Sequence, residues 1–401
     1  MSTVTINKTK TIKTLNNIAS RGLEVLNEDN YTIDNDSNNP DAIVLRSYKM
    51  HDYEFNSNLK AIARAGAGVN NIPIEKCTEL GITVFNTPGA NANAVKEIVL
   101  TALMASSRNL FDGVEWIKSL EDKGEEIPSL VEAGKKQFLG KEIKGKTLGV
   151  IGLGNVGALV ANDALHLDMN VIGFDPFISV NTAWNLSRNV QRAMTLEELI
   201  TKSDYITVHV PLTDDTRGLF NEKTFKLMKP GAHIFNFSRG ELVNDKDMAE
   251  ALEGGKVGKY ITDFPNENVL KMKNAVPIPH LGASTKESEE NCAVMATRQV
   301  REFLETGNIK NSVNFPNASL PYTGKTRVTA FHHNIPNMVG QITSAISENN
   351  LNIADMINRS RGEYAYTMID VDNETTTETL PELEKQINQI AGMVSVRIIS
   401  Q

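Results

Sequence analysis

Arg239, Glu267 and His280 are the side chains of this chain best suited to move a proton and steady an anion. They fall in the segments FNFSRGELV, YITDFPNENV and PIPHLGAST, each of which carries a short apolar run. Oxidising a secondary alcohol requires a base for the hydroxyl proton as hydride leaves carbon. Histidine titrates near neutrality, and a carboxylate beside it stabilises the imidazolium and fixes the tautomer. His280 with Glu267 is the pair expected here. Arginine grips a carboxylate through two parallel bonds, so Arg239 can hold an α-carboxylate and polarise the oxygen being oxidised. Taken singly, an SRG turn is as readily a surface loop, and a histidine between Pro279 and Leu281 as readily a core group.

A site for the departing hydride lies upstream. Gly152-Leu-Gly154-Asn155-Val156-Gly157 follows the apolar run LGVI and precedes the helical pattern ALVANDALHL. The first glycine allows a tight turn, the second lets the backbone approach a diphosphate, and the third allows close packing of helix on strand. The next apolar run, VIGFD, ends in Asp175. A carboxylate there accepts from ribose hydroxyls and repels a 2′-phosphate, which favours NAD over NADP. A plain strand-end turn is the plainer reading of Asp175.

Elements to carry these residues are visible as patterns. From Asp41 to about Ala92, short apolar runs alternate with polar connectors, as in a small α/β domain of parallel strands. AVKEIVLTALMASSRNLF has helical spacing and reads as a connecting helix, followed by a lysine-rich linker ending at Lys146. Strand candidates then recur (KTLGVIGL, MNVIGFD, SDYITVHV, AHIFNFS, KYITDF, NAVPIPH), mostly with helical segments between them. That alternation predicts a doubly wound, Rossmann-type parallel sheet. A long helix ends at Gly307, NSVNFPNASLPYTGK reads as a linker, and the remainder runs strand, helix, strand, strand, helix, strand. This βαββαβ order is ferredoxin-like. The fold class is therefore α/β: a Rossmann sheet, a flavodoxin-like second domain and a ferredoxin-like C-terminal unit. The expected boundaries are residues 1–92 with 281–312 for substrate binding, 93–280 for NAD, 313–324 as linker and 325–401 as a regulatory module.

The 401 residues, 40% hydrophobic with net charge -8, suit several cores and disfavour nucleic acid or anionic membrane as partners. Cys77 and Cys292 read as buried thiols in a reducing compartment, and no signal-peptide core or membrane span is evident. A cytoplasmic protein that needs no metal is expected.

GLGNVG, VHVPL, NFSRGELV and PHLGAST, in this order, resemble the D-isomer-specific 2-hydroxyacid dehydrogenase family, and the similarity covers nearly the whole chain. The resemblance implies Arg239, Glu267 and His280 as the catalytic set. It implies NAD contacts from Gly152, Gly154, Asn155, Val156, Gly157, Asp175, His209, Val210, Pro211, Thr216, Phe237, Ser238, Arg239, Asp263, His280 and Gly282. One residue fewer separates Asp263 from Glu267 than in the family, and Asn268 replaces its proline, so Asp263 is the reserve carboxylate. RAGAGVNNI, FNTPGAN and HLGASTKESEEN resemble members acting on a phosphorylated 2-hydroxy acid, 3-phosphoglycerate, at the entry to serine synthesis. Arg46 and Arg64 would then hold the phosphate, and Ala65, Gly66 and Ala67 would offer backbone donors to the carboxylate.

The C-terminal unit resembles an ACT domain, a regulatory fold that binds amino acids where two copies meet. By that resemblance His332, Asn334 and Asn352 would take L-serine as effector in a homodimer or homotetramer. Asn337 stands where such a loop usually has glycine. Two other readings remain open: a dehydrogenase of another 2-hydroxy acid, and an NAD-sensing regulator without catalysis.

Overall fold

The computed structural model describes residues 9–372 and 379–400. Residues 1–8, 373–378 and 401, which belong to the two terminal domains expected above, lie outside the described set. The chain divides into two compact units, Met1–Asn91 with Glu289–Gln401, and Ala92–Ser288.

The first unit opens with β1 (Lys10–Leu15), β2 (Tyr31–Ile33), β3 (Ala42–Leu45), β4 (Ala61–Arg64) and β5 (Thr83–Phe85). They form a parallel sheet in the order β2-β1-β3-β4-β5, which is the flavodoxin-like order. Side chains alternate across a strand. Ile43, Leu45 and Ile62 accordingly pack on one face with Met50, Ile72 and Cys77, while Ala42, Val44 and Ala63 face the other with Phe85. The long helix Lys286–Thr306 covers that second face with Cys292, Ala293, Ala296, Val300, Phe303 and Leu304, a stripe at helical spacing. Both cysteines are free and buried, and burial pushes the Cys77 thiol up to about 12.

The second unit carries β6 (Thr147–Ile151), β7 (Asn170–Phe174), β8 (Gln191–Arg192), β9 (Tyr205–Val208), β10 (Ala232–Asn236), β11 (Val257–Thr262) and β12 (Ala275–Pro277). All pair in parallel, in the order β12-β11-β10-β9-β6-β7-β8. The strand order reverses between β6 and β9, the switch point at which such sheets bind ligands. Two cores flank the sheet. Val95, Val99 and Leu103 meet Leu148, Val150 and Val160 on one face, and Leu199, Phe225, Met248 and Leu252 meet Ile206, Val208 and Ile234 on the other. The stretch read as a lysine-rich linker is largely helical, with helices Leu110–Lys118 and Ile127–Gly134 and 3-10 turns after each. The left-handed Asn109 separates it from the helix Ala92–Ser107. Both helices are short and neither buries a residue, so no core-facing stripe marks them in the sequence.

The C-terminal sheet consists of β13 (Arg327–His333), β14 (Ile353–Arg361), β15 (Tyr364–Val371) and β16 (Met393–Ile399), antiparallel in the order β14-β15-β13-β16. With helices Met338–Glu348 and Thr379–Asn388 between strands, this is the βαββαβ unit expected. Those helices cover one face through Ile342, Ile346, Leu383 and Ile387. The other face is not free. Phe331, Tyr366 and Met368 join the core of Phe85, Phe303 and Phe315, with Phe331 ring centroids 4.1 Å from Phe315 and 4.4 Å from Tyr366. The residues read as a linker are part of this packing. Phe315 is fully buried, and Asn314 accepts from the Val84 amide and donates to the Ile82 carbonyl, both at 2.9 Å.

Arg327, 0% exposed, closes the seam: Nε and Nη2 pair with both oxygens of Asp370 at 2.6 and 2.7 Å. Its Nη1 donates to the Thr306 carbonyl at 2.8 Å, and Nη2 to the Pro321 carbonyl at 3.0 Å. Among the described residues, no helix is long and apolar enough to cross a membrane, and no group of three or more His, Cys, Asp or Glu side chains is placed to hold a metal ion.

Candidate active site

The glycine turn is built as its spacing implies. Gly152 leaves β6 at φ 85°, and a Cβ there would lie 2.6 Å from the His209 carbonyl oxygen. A Cβ on Gly157 would strike the Gly152 carbonyl, whereas one on Gly154 would meet nothing within 4 Å. The open position is the one a diphosphate must approach. Gly154 caps the helix Asn155–His166 without a side-chain acceptor, so its first amides, starting with Asn155 and Val156, point into that opening. At the end of β7, Asp175 accepts from Leu153 N and Phe177 N, each at 2.8 Å. Two backbone bonds fix this carboxylate beside the turn. The residues present fit a dinucleotide.

After β9, His209 turns its Nε2 to Thr207 Oγ1 at 2.9 Å, and burial pushes its pKa down to about 3, so the ring is neutral. Val210 packs on the neighbouring core, and Thr216 Oγ1 donates to the Pro211 carbonyl at 2.7 Å. Ser238 Oγ donates to the Val208 carbonyl at 2.8 Å and Phe237 is buried, which ties the β10 end to the β9 end.

Arg239 is exposed just past β10 and donates from Nη1 to the Ser238 carbonyl at 2.6 Å. Its backbone is held by Asn236, which no motif had singled out. This fully buried side chain donates to the Arg239 carbonyl at 2.8 Å and to Tyr260 Oη at 3.3 Å, and accepts from Ser238 N at 3.2 Å. A polar residue inside the buried run IFNF is the signal that could have found it.

Asp263 and Glu267 differ sharply. Asp263 is 1% exposed; Oδ2 accepts from Gly282 N at 2.9 Å, while Oδ1 is buried with no partner. Burial raises its pKa, and the nearby charges of His280 and Arg239 oppose the rise. His280 stands beside Phe264, ring centroids 4.8 Å apart, and lines with Asp263 a cavity of about 670 Å³ that includes Arg217, Glu241 and Asn266. Glu267 does not line it. Its side chain is 84% exposed and pairs with Lys271 at 2.6 Å, and no contact joins it to His280. Asn266 is the reason. Its side chain accepts from Asn268 N and Val269 N, capping the helix Glu267–Lys271 and directing Glu267 to its i+4 neighbour.

In the other unit, register pairs Leu45 with Arg64 and sets Arg46 and Arg64 at the carboxyl ends of adjacent strands. Arg64 Nε donates to the Arg46 carbonyl at 3.1 Å, and Arg46 pairs with Glu289 at 2.7 Å. The Ala65 amide donates to the Leu45 carbonyl and the Gly66 amide to the Arg64 carbonyl. Two of the three expected backbone donors are thus engaged, leaving Ala67, whose carbonyl accepts from Asn86.

His332 is 2% exposed, with Nδ1 at 2.8 Å from the His333 carbonyl and Nε2 at 2.9 Å from Thr367 Oγ1. Asn334 donates to the Gly362 carbonyl at 3.3 Å and Asn352 to Asp372 at 2.9 Å. His333 pairs with Tyr364 and Ile353 with Val371, so Asn334 and Asn352 sit at opposite ends of the sheet, on the order of 20 Å apart at the usual strand rise. One copy does not bring them together. Asn337 adopts the left-handed conformation, φ 68°, that glycine would supply.

Residues 100–282 match the family described as D-isomer specific 2-hydroxyacid dehydrogenase, NAD binding domain. A D-3-phosphoglycerate dehydrogenase of Methanocaldococcus jannaschii is 35% identical over 305 residues, 75% of this chain and 55% of that protein. The chain spans about half the length of the first such relatives it matches. A hydroxypyruvate reductase of Thermotoga maritima is 36% identical over 279 residues, 67% of this chain and 85% of that one. The NAD+-bound structure of an Entamoeba histolytica 3-phosphoglycerate dehydrogenase superposes with a TM-score of 0.58 at 26% identity, covering 76% of this chain and 99% of that one. With the glycine turn, Asp175 and the Arg239, Asp263 and His280 cluster in place, the chain belongs to the D-isomer-specific 2-hydroxyacid dehydrogenases and carries their NAD-binding domain.

Proposed function

We propose that the chain oxidises 3-phosphoglycerate to 3-phosphohydroxypyruvate, the entry to serine synthesis, in the cytoplasm. The observation that carries this substrate is the arginine pair at the ends of β3 and β4. A phosphate needs cations apart from the carboxylate clamp, and guanidinium suits its geometry. On arrival it would take Glu289's place on Arg46. Residues 1–92 with 281–312 would then be the substrate half, 93–280 the cofactor half, 313–324 the connection and 325–401 the regulatory module.

The turn Gly152–Gly157 and Asp175 would hold NAD, which when bound supplies the hydride acceptor. Arg239 binds the α-carboxylate and draws electron density from the C2 oxygen. As the C2–H bond breaks with its electron pair, the O–H bond gives its proton to His280, and the oxygen is left as the ketone of the product. Asp263, which lines the same cavity as His280, is the carboxylate placed to orient the ring. Glu267, turned to Lys271, takes no part in this assignment.

Purified protein should form NADH with 3-phosphoglycerate, and Arg64→Ala should raise KM for it at least ~10-fold, a loss of about 1.4 kcal/mol of binding, with little change in kcat. An unchanged KM would remove the phosphate assignment. A second reading, another 2-hydroxy acid, is favoured by the Arg46–Glu289 pair and by the fuller match to a hydroxypyruvate reductase. Turnover of glycerate as fast as of the phosphorylated acid would select it. Absence of turnover with either would leave NAD sensing.

For the C-terminal unit we propose an ACT-type role in a homo-oligomer, with L-serine bound by His332 and Asn334 of one copy and Asn352 of another. The separation of these groups within one copy supports a site shared between copies. Titration of L-serine into wild type and Asn334→Ala should show heat only for the former.

A further inference from the structure

The Rossmann sheet has a second built pocket, at the opposite end of its strands from the glycine turn. Where β9 and β10 begin, a cavity of about 130 Å³ is lined by Ser106, Lys141, Lys146, Asp204, Lys229 and His233, among others. Lys229 is neutralised by Asp204 at 3.0 Å, and the neighbouring Lys259 by Asp112 at 2.5 Å. Among the described residues the Lys141 and Lys146 ammonium groups make no ion pair or hydrogen bond. Both nonetheless act on the groups of the pocket: the charge of Lys141 opposes protonation of His233, and that of Lys146 favours the ionised Asp204. His233 is half-buried and one ring nitrogen lies 3.3 Å from Ser106 Oγ. Burial, then Lys259 and Lys141, push its pKa down to about 4, so it is neutral and has one N–H to donate. Lys141 and Lys146, both exposed, thus add two cations to a polar cavity whose one lining carboxylate, Asp204, is paired with Lys229.

We propose that this pocket binds a small tetrahedral oxyanion of phosphate size, held by the Lys141 and Lys146 ammonium groups and a hydrogen bond from His233. The volume suits such an ion with a few waters and excludes a nucleotide, whose sites run to roughly 300 Å³ or more. The site is independent of the dehydrogenase reading, since occupancy is measured without turnover.

The test is calorimetric titration of inorganic phosphate into full-length Arg64→Ala protein saturated with NAD, so that neither the proposed substrate-phosphate site nor the glycine turn competes. One binding event is expected. It should weaken at least ~10-fold in the added double substitution Lys141→Ala/Lys146→Ala, a loss of about 1.4 kcal/mol, and more mildly in His233→Gln, which probes the pocket independently of the lysines. Sulfate should compete and acetate should not. An isotherm unchanged by these substitutions, or no heat at all, overturns the site; acetate binding as tightly as phosphate overturns the tetrahedral assignment in favour of a carboxylate.

Discussion

The two parallel sheets present functional loops from similar frames, yet they are supported differently. The sheet β6–β12 lies between two cores drawn from its own unit. The sheet β1–β5 keeps one face to itself and shares the other, through Phe303 and Phe315, with the C-terminal sheet. The cofactor half is therefore self-sufficient in burial, whereas the half carrying Arg46 and Arg64 depends on residues some 250 positions downstream, such as Phe331 at the heart of the shared core. A regulatory appendage would leave a substrate domain intact on removal. Here it would not.

The sharpest way to break this contrast is truncation after Ser312. The remaining chain should lose the cooperative melting of β1–β5 and bind a hydrophobic dye, while a 92–288 fragment melts cooperatively; a well-folded 1–312 protein would sink the idea. Next in size, Arg327→Ala strands Asp370 in the seam and should cost about 3–5 kcal/mol in urea unfolding, with no loss of NAD binding by the second unit. Phe331→Leu removes ring contacts but keeps most of the volume, so about 1 kcal/mol is expected in the same measurement.

Smaller effects test the cofactor half. Because burial raises the Asp263 pKa, folding favours its protonated form, and the native state loses stability as pH rises from the ordinary value of 3.8 through the raised one. Asp263→Asn avoids that loss. Its Tm should exceed wild type by about 2 °C at pH 8 and converge on it at pH 3, while turnover falls. Glu267→Gln loses only an exposed ion pair, so Tm and kcat should both stay within error. A large fall in kcat would return Glu267 to the site.

Much of this architecture was legible in the chain. The glycine turn, the alternation through β6–β12 and the βαββαβ order each rest on local periodicity, which survives without tertiary knowledge. Residues 311–325 read as a linker because Asn, Pro and Ser dominate there, whereas the burial of Phe315 depends on partners from β5 and β13. That Glu267 lies on Lys271 rather than beside His280 has a related reason. Spacing along a loop does not show which acid points inward; the Asn266 cap decides it by starting a helix one residue before the family pattern would place the carboxylate.

Asn236 has a bearing on how such a site tolerates change. Its side chain closes the turn carrying Arg239 from within β10, through the Arg239 carbonyl and the Ser238 amide. The backbone of Arg239 is thus tied to the strand rather than to the loops that follow. A residue lost between Asp263 and Glu267 then re-aims one carboxylate and leaves the guanidinium's anchor where it was. A change of loop length after β11 therefore leaves the backbone anchor of Arg239 untouched.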